Sequence, residues 1–258
     1  MDWKDILLFV IAALNLGLGT VVLSRNRKSF SNITYSGVVV AAAAWAVGLA
    51  FFRSANDIGN ALFWARFYYV AAAVIAYSFL LFGFFFPYQR IKMNVWRVTV
   101  LAIPLGLVLG LVYTDYHIEN IFLQTWGKDV ILGWSYVLYT VYFVMYVGYS
   151  FFELYRKNRE TVGMKKLQIR YTLLGTLFAA VGGSLFNLFY PLFGNYQYIW
   201  LGPAFTLIMI GFIAYAISRY RLFDIRLVMV RSLVYVILST IVALIFTALS
   251  IFFSTLFN

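Results

Sequence analysis

The chain has 258 residues, of which 64% are hydrophobic and 11% charged, with a mean hydropathy of +0.86; that balance excludes a soluble globular domain. A formal net charge of +11 would suggest a nucleic-acid partner in a soluble protein, but here the charge follows the spacing of the apolar segments and argues for a bilayer partner and against nucleic acid. The absence of cysteine excludes disulfides and thiolate metal sites.

In chain order, apolar segments fall at roughly 6–23, 33–52, 62–87, 98–114, 135–155, 172–193, 199–218 and 233–257, each near the length a helix needs to cross a membrane. They lack the alternation of barrel strands, so helices are expected. The expected fold is all-α, a polytopic membrane helix bundle with a seven-transmembrane core over residues 1–228 and an eighth span within 229–258. The first segment is preceded by Asp2, Lys4 and Asp5 and followed by Arg25, Arg27 and Lys28, unlike a cleaved signal, which places the N-terminus outside.

Alternation from that start collects Lys and Arg on the inner side. Arg25, Arg27 and Lys28 are followed there by Arg90, Lys92 and Arg97, then by Arg156, Lys157, Arg159, Lys165, Lys166 and Arg170, and last by Arg219, Arg221, Arg226 and Arg231. Asp2, Asp5, Asp57, Asp115, Glu119 and Asp129 fall outside with Lys4, Arg53, Arg66 and Lys128. Trp3, Trp64, Trp126, Trp134 and Trp200 sit at outer boundaries and Trp96 at an inner one, as interfacial rings do. Trp45 alone lies well inside a span.

Two connections exceed simple linking length. The outer one, Asp115 to Trp134, mixes charges with Ile121, Phe122, Leu123 and Trp126 and is expected to fold back as a short lid or interfacial turn, or to rest on headgroups as a connector. The inner one runs from Arg156 to Arg170. The sole histidine, His117, is in the outer loop, which leaves no bis-histidine haem, no histidine-rich zinc site and no Ser/His dyad. No intramembrane lysine is available for a Schiff base and no phosphate-binding loop occurs. No cofactor and no catalytic residue is expected.

Polar groups at membrane depth remain as candidate ligand sites: Asn15, Asn187 and, near the outer end of its span, Arg66. Each has a plainer reading, an interhelical hydrogen bond for the asparagines and snorkelling for the arginine. Tyr136, Tyr139, Tyr142, Tyr146 and Tyr149 share one face of segment five within about 140°. They either line a pocket for an aromatic or amphipathic ligand or pack as hydrogen-bonded core. Small residues at Gly106 and Gly110, and at Gly175, Ala179 and Gly183, suggest close helix contacts, and Pro104, Pro191 and Pro203 suggest kinks or helix starts.

Ala216 to Arg231, AISRYRLFDIRLVMVR, forms the inner elbow between segments seven and eight. Arg221 and Asp224 are spaced to pair on a helical turn, leaving Arg219 and Arg226 for headgroups or a partner, while Leu222, Phe223 and Ile225 give an apolar side. The elbow is either a signal-transmitting exit or a basic anchor for two helices.

The stretches WAVGLAFF from Trp45, ALFWARFYYV from Ala61, QIRYTLLG from Gln168, SLFNLFYPLFG from Ser184 and GPAFTLIMIGFIAYAISRYRLFDIRLV from Gly202 closely resemble the seven-transmembrane N-terminal region of bacterial sensor histidine kinases, over roughly residues 6 to 228. The last stretch is the most specific. The resemblance implies a membrane input module of a two-component system in the bacterial inner membrane, placed before cytoplasmic kinase domains that act on a response regulator, and a homodimer in the full-length enzyme. It matches Trp45, Trp64, Arg66, Asn187 and Pro203 to recurrent positions of the bundle, and Arg221 to Arg226 to the exit motif. No phosphoacceptor helix or ATP-binding domain is present, His117 lies on the outer side, and segment eight extends beyond the seven. The chain is therefore expected to be a fragment upstream of its output domains.

The expectation is a receptor module in which a small amphipathic molecule, or the bilayer itself, biases two helix arrangements and segment seven passes the change through Arg219 to Arg226. Two other classes stay open: a small-solute transporter, for which repeats and paired intramembrane carboxylates are not visible, and a structural partner of another membrane protein.

Overall fold

The computed structural model describes residues 2–88, 95–124 and 127–224. The expected eighth span, Arg90, Lys92, Trp126, Arg226 and Arg231 lie outside the described residues. Among the described residues there are seven helices: α1 Trp3–Arg25, α2 Phe30–Ser54, α3 Ile58–Phe85, α4 Val95–Val112, α5 Ser135–Glu160, α6 Gly163–Leu192 and α7 Leu201–Tyr220. All except α4 are long and apolar enough to cross a membrane, and the chain is a multi-pass membrane protein.

Helix starts are written locally. Asp2 and Asp5 form a reciprocal capping box on α1, Ser29 caps α2, and Asp57 Oδ1 accepts from the Asn60 N–H of α3 at 2.8 Å. The acids at the start of α1 face Arg53 at the end of α2, with Arg53 Nε 2.9 Å from Asp5 and Nη2 3.5 Å from Asp2. Each charge also opposes the dipole end of its own helix.

Packing closes a ring. α2 lies between α1 and α3, α3 packs on α5, α4 covers α3 and α5, α6 pairs with α7, and α7 returns to α1. Gly175 and Gly182 of α6 leave room for Met209, Phe212 and Phe205 of α7. Gly183, expected in the same helix contact, instead faces Trp45, and Ala179 faces a cavity. Around Gly106 and Gly110 a side chain would meet nothing, so this GxxxG seam makes no helix contact among the described residues. The spacing was right for such a contact, but α4 presents it away from the bundle.

The inner long connection differs from expectation, and the outer one folds back as expected but does so as paired strands. The basic inner stretch is not a loop: α5 runs to Glu160, α6 begins at Gly163, and only Thr161 and Val162 connect them. Its charge did not prevent helix, because Lys, Arg and Glu are good helix formers. The outer stretch is a hairpin of β1 Ile118–Gln124 and antiparallel β2 Gly127–Leu132, pairing Ile121 with Val130 and Leu123 with Lys128. Gly127 takes φ +152°, which suits glycine. The β-branched Ile118, Ile121 and Val130 turn into the core, and the Lys128 ammonium donates to the Arg53 carbonyl at 2.8 Å.

At the inner end, Lys157 of α5 is buried beneath the last turn of α3. Its Nζ lies 2.7, 2.6 and 2.7 Å from the carbonyls of Gly83, Phe84 and Phe86. An ammonium has three protons, and here each meets a carbonyl left over by a helix end. A positive charge at a helix C-terminus adds to the effect. Lys157→Met keeps most of the stem and removes the donors, and is expected to lower stability by about 2 kcal/mol, whereas Lys166→Met, at an exposed position, is expected to be neutral. Thermal melts of the two variants in the same lipid check this, and equal melting temperatures would remove the cap from the account.

Candidate functional site

Pro191 has no N–H, so the helical bond it would make to the Asn187 carbonyl is missing. α6 accommodates this by widening to a π-turn over Leu185–Phe189, closed by the Tyr190 N–H on the Leu185 carbonyl. From α5, the Tyr136 hydroxyl lies 3.0 Å from the carbonyl of Leu188 and 3.4 Å from that of Asn187. The widened turn carries the Asn187 side chain. Its Nδ2 donates to the Ile199 carbonyl at 2.9 Å and sits where any side chain on Gly202 would stand. Its Oδ1 is buried without a hydrogen-bond partner.

Beside Asn187 the bundle forms a partly open cavity of about 90 Å³, walled by α2, α3, α5, α6 and α7. Trp45, Tyr69, Phe79, Tyr139 and Phe143 supply rings, and Thr176 and Thr206 supply hydroxyls. Gly183 and Gly202 leave room for the edge of the Trp45 indole. Among the described residues that line it, none is acidic, basic or a histidine. Asn15 stands behind this wall, its Nδ2 donating to Thr206 Oγ1 at 3.0 Å and to the Ile11 carbonyl at 2.9 Å.

Of the residues singled out in the sequence, Trp45, Tyr139 and Asn187 thus meet at one cavity, and Asn15 reaches it through Thr206. Tyr142 and Tyr146 do not line it. Their hydroxyls donate to the carbonyls of Ala73 at 3.0 Å and Leu101 at 2.7 Å, and Tyr139 donates to that of Tyr69 at 3.0 Å. Tyr136, Tyr139, Tyr142 and Tyr146 of the α5 face form a row of hydrogen bonds to neighbouring helices, Tyr139 also serves the cavity, and Tyr149 is exposed. Arg66 lies at the outer end instead, 3.3 Å from Asp115.

His117, expected in an open loop, is 1% exposed. The rings of Tyr69, Tyr139 and Tyr136 surround it at 4.9, 5.2 and 5.5 Å. Its Nδ1 is 3.4 Å from Ser135 Oγ and its Nε2 has no partner. Burial, and secondly the Arg66 charge, push its pKa down to about 4, so the ring is neutral at ordinary pH. Tyr69 and Tyr139 belong both to this cage and to the cavity wall. No local pattern marks the histidine as buried; the hairpin folding back over α3 and α5 does it.

At the inner end, α7 stops at Tyr220, whose carbonyl accepts from Gln168 Nε2 at 2.9 Å. Arg219 and Arg221 are exposed. Arg221 and Phe223 have φ of 51° and 59°, a left-handed conformation that costs a non-glycine residue about 1–2 kcal/mol. Leu222–Asp224 forms a short 3₁₀ turn. It buries Phe223 against Tyr35, Phe86 and Phe82 at 4.9, 5.9 and 6.3 Å between ring centres. Phe82 stacks in turn on Phe79 of the cavity wall at 6.3 Å. Tyr35, Phe79 and Phe82 were not anticipated, because aromatic residues are everywhere in this chain and only packing distinguishes them. The expected Arg221–Asp224 pair and Arg226 fall outside the described side chains.

Residues 7–226 match the family model described as the N-terminal 7TM region of histidine kinase. No curated protein and no solved structure matches the chain.

The His117 cage makes the outer hairpin acid-sensitive. A histidine released from the cage titrates near 6.5 and the caged one near 4, so between these values the opened form binds more protons than the closed form. Stability is therefore full above about pH 6.5, falls as the pH drops, and levels off below about 4, for a total of about 3 kcal/mol. The protection of residues 118–132 against hydrogen exchange, relative to the free-amide rate at each pH, is expected to fall as the pH drops through that range in the native chain, and to lose this step in His117→Phe. A step retained in the variant would assign it to the outer carboxylates instead.

Proposed function

Because the chain belongs to the family of N-terminal 7TM regions of histidine kinases, we propose that it is the sensory input module of such a kinase, with the central cavity as its signal site and α7 as its output element. α7 contributes Thr206 and Met209 to the cavity and ends in the turn that seats Phe223 under the inner ends of α2 and α3. The observation that carries the reading is the continuity of Phe79, Phe82 and Phe223 from the cavity wall to that turn.

A signal entering the cavity displaces the α3 and α7 walls relative to each other. The change reaches the inner end as an altered seat for Phe223. Two residues held in left-handed conformations by that seat are poised to relax when it loosens, which reorients the chain leaving α7. Cytoplasmic kinase domains, a response regulator, a homodimeric assembly and a place in the bacterial inner membrane complete the proposal. Arg219 and Arg221, exposed at the exit, suit anionic headgroups on the cytoplasmic side.

The test places the chain ahead of a kinase core in vesicles and reads autophosphorylation. Phe223→Ala is expected to change basal output by about fivefold or more, and Asp224→Ala to change output without altering the melting temperature. Output unchanged in both variants would remove the elbow from the mechanism.

A further inference from the structure

The walls of the central cavity restrict what can occupy it. A charged molecule would lose its hydration and meet no counter-charge, since no ionisable acid, amine, guanidinium or imidazole faces it among the described residues. The volume, about 90 Å³, is less than that of a cavity known to admit one benzene ring, so the part of an occupant held inside has roughly six non-hydrogen atoms or fewer.

Two polar groups of the wall are buried without a hydrogen-bond partner, the Tyr69 hydroxyl and the Asn187 amide oxygen. The hydroxyls of Thr176, Thr206 and Tyr139 already donate to the carbonyls of Thr172, Pro203 and Tyr69, at 2.7, 2.7 and 3.0 Å. Asn187 Nδ2 is likewise committed to Ile199. Turning the amide over would set Oδ1 against that carbonyl, so the network decides which amide atom is left open. The open atom is Oδ1, an acceptor buried without a partner, and leaving it so is costly. This acceptor calls for a donor, which an occupant can bring.

We propose that the cavity binds a small uncharged alcohol, its short apolar body among the rings of Trp45, Phe79 and Phe143 and its hydroxyl donating to Asn187 Oδ1. The proposal rests on reading the cavity as the signal site and gives the chemical class of the signal. Trp45 lies against the occupant and reports on it.

The experiment uses the full chain in lipid nanodiscs with two isomeric probes, 1-butanol and diethyl ether. The two have the same atoms, but only the alcohol can donate a hydrogen bond. The fluorescence difference between the native chain and Trp45→Phe isolates the cavity from the other tryptophans. A saturable change with 1-butanol is expected, about tenfold weaker with the ether. Asn187→Leu is expected to abolish the difference between the isomers, and Ala180→Phe, which fills the cavity, to abolish saturable binding of both. Non-specific partition into the bilayer gives a response that does not saturate and survives Ala180→Phe, and that result would overturn the proposal. Equal saturable binding of the two isomers would also overturn it while keeping the cavity as a site. If Asn187→Leu does not fold, the isomer ratio in the native chain decides alone. Ahead of a kinase core, Ala180→Phe separates the two levels. Altered output without alcohol binding leaves the signal site standing with the wrong ligand class, and unaltered output removes the cavity as the signal site.

Discussion

Inside a bilayer, a backbone carbonyl that its own helix leaves over has no water to turn to, and the protein has to provide a donor. Much of this bundle is arranged around that requirement. Tyr136 takes up the carbonyls of the π-turn before Pro191, while the hydroxyls of Tyr139, Tyr142 and Tyr146, which need partners of their own, donate to mid-helix carbonyls of α3 and α4. Lys157 covers the three at the end of α3. α5 is therefore the donor helix of the structure, and its polar groups set how its neighbours stand against it.

The cavity follows from the same requirement. Once Pro191 forces a π-turn and Tyr136 stabilises it, α6 is wider at Asn187 than a regular helix and its side chain is carried inward. Asn187 then has one end held by Ile199 and Gly202 and the other end open. Unmatched polarity is normally removed from a membrane interior, and its presence at the wall of a cavity is what turns a packing detail into a candidate binding site. The Tyr69 and Tyr139 rings, shared with the His117 cage, place the outer hairpin in contact with that wall, while the Phe79, Phe82 and Phe223 rings place the inner exit in contact with it. The site thus has one route to the outside and one to the inside.

Several residues show where reading the chain reached and where it stopped. Asn187 and Asn15 were legible because an amide within an apolar run is rare and has to be paired. The tyrosines of α5 were legible as a face, since 100° per residue places them together whatever surrounds them. Which of them lines a cavity was not legible, because that depends on how far α3 and α6 stand from α5. Lys157 read as one more inner charge, and its burial under α3 comes from a neighbour more than 70 residues away in the chain. The burial of His117 and the strand pairing of the fold-back over it were missed for the same reason, because alternating polarity on a short, charged stretch acquires an inside only when α3 and α5 provide one.

The sequence by itself determined the helical class, the order of the apolar helices within the described residues, the family and the polar residues that had to be explained. Hydropathy and charge act segment by segment against the bilayer, with no need for partners. Only the tertiary structure decided that Trp45, Tyr139, Asn187 and Thr206 share one cavity, that Arg66 and Tyr146 do not, and that Phe223 folds back beneath α2 and α3. These outcomes depend on distances between helices, and those distances are set by close packing and by the pairing of backbone carbonyls across the bundle.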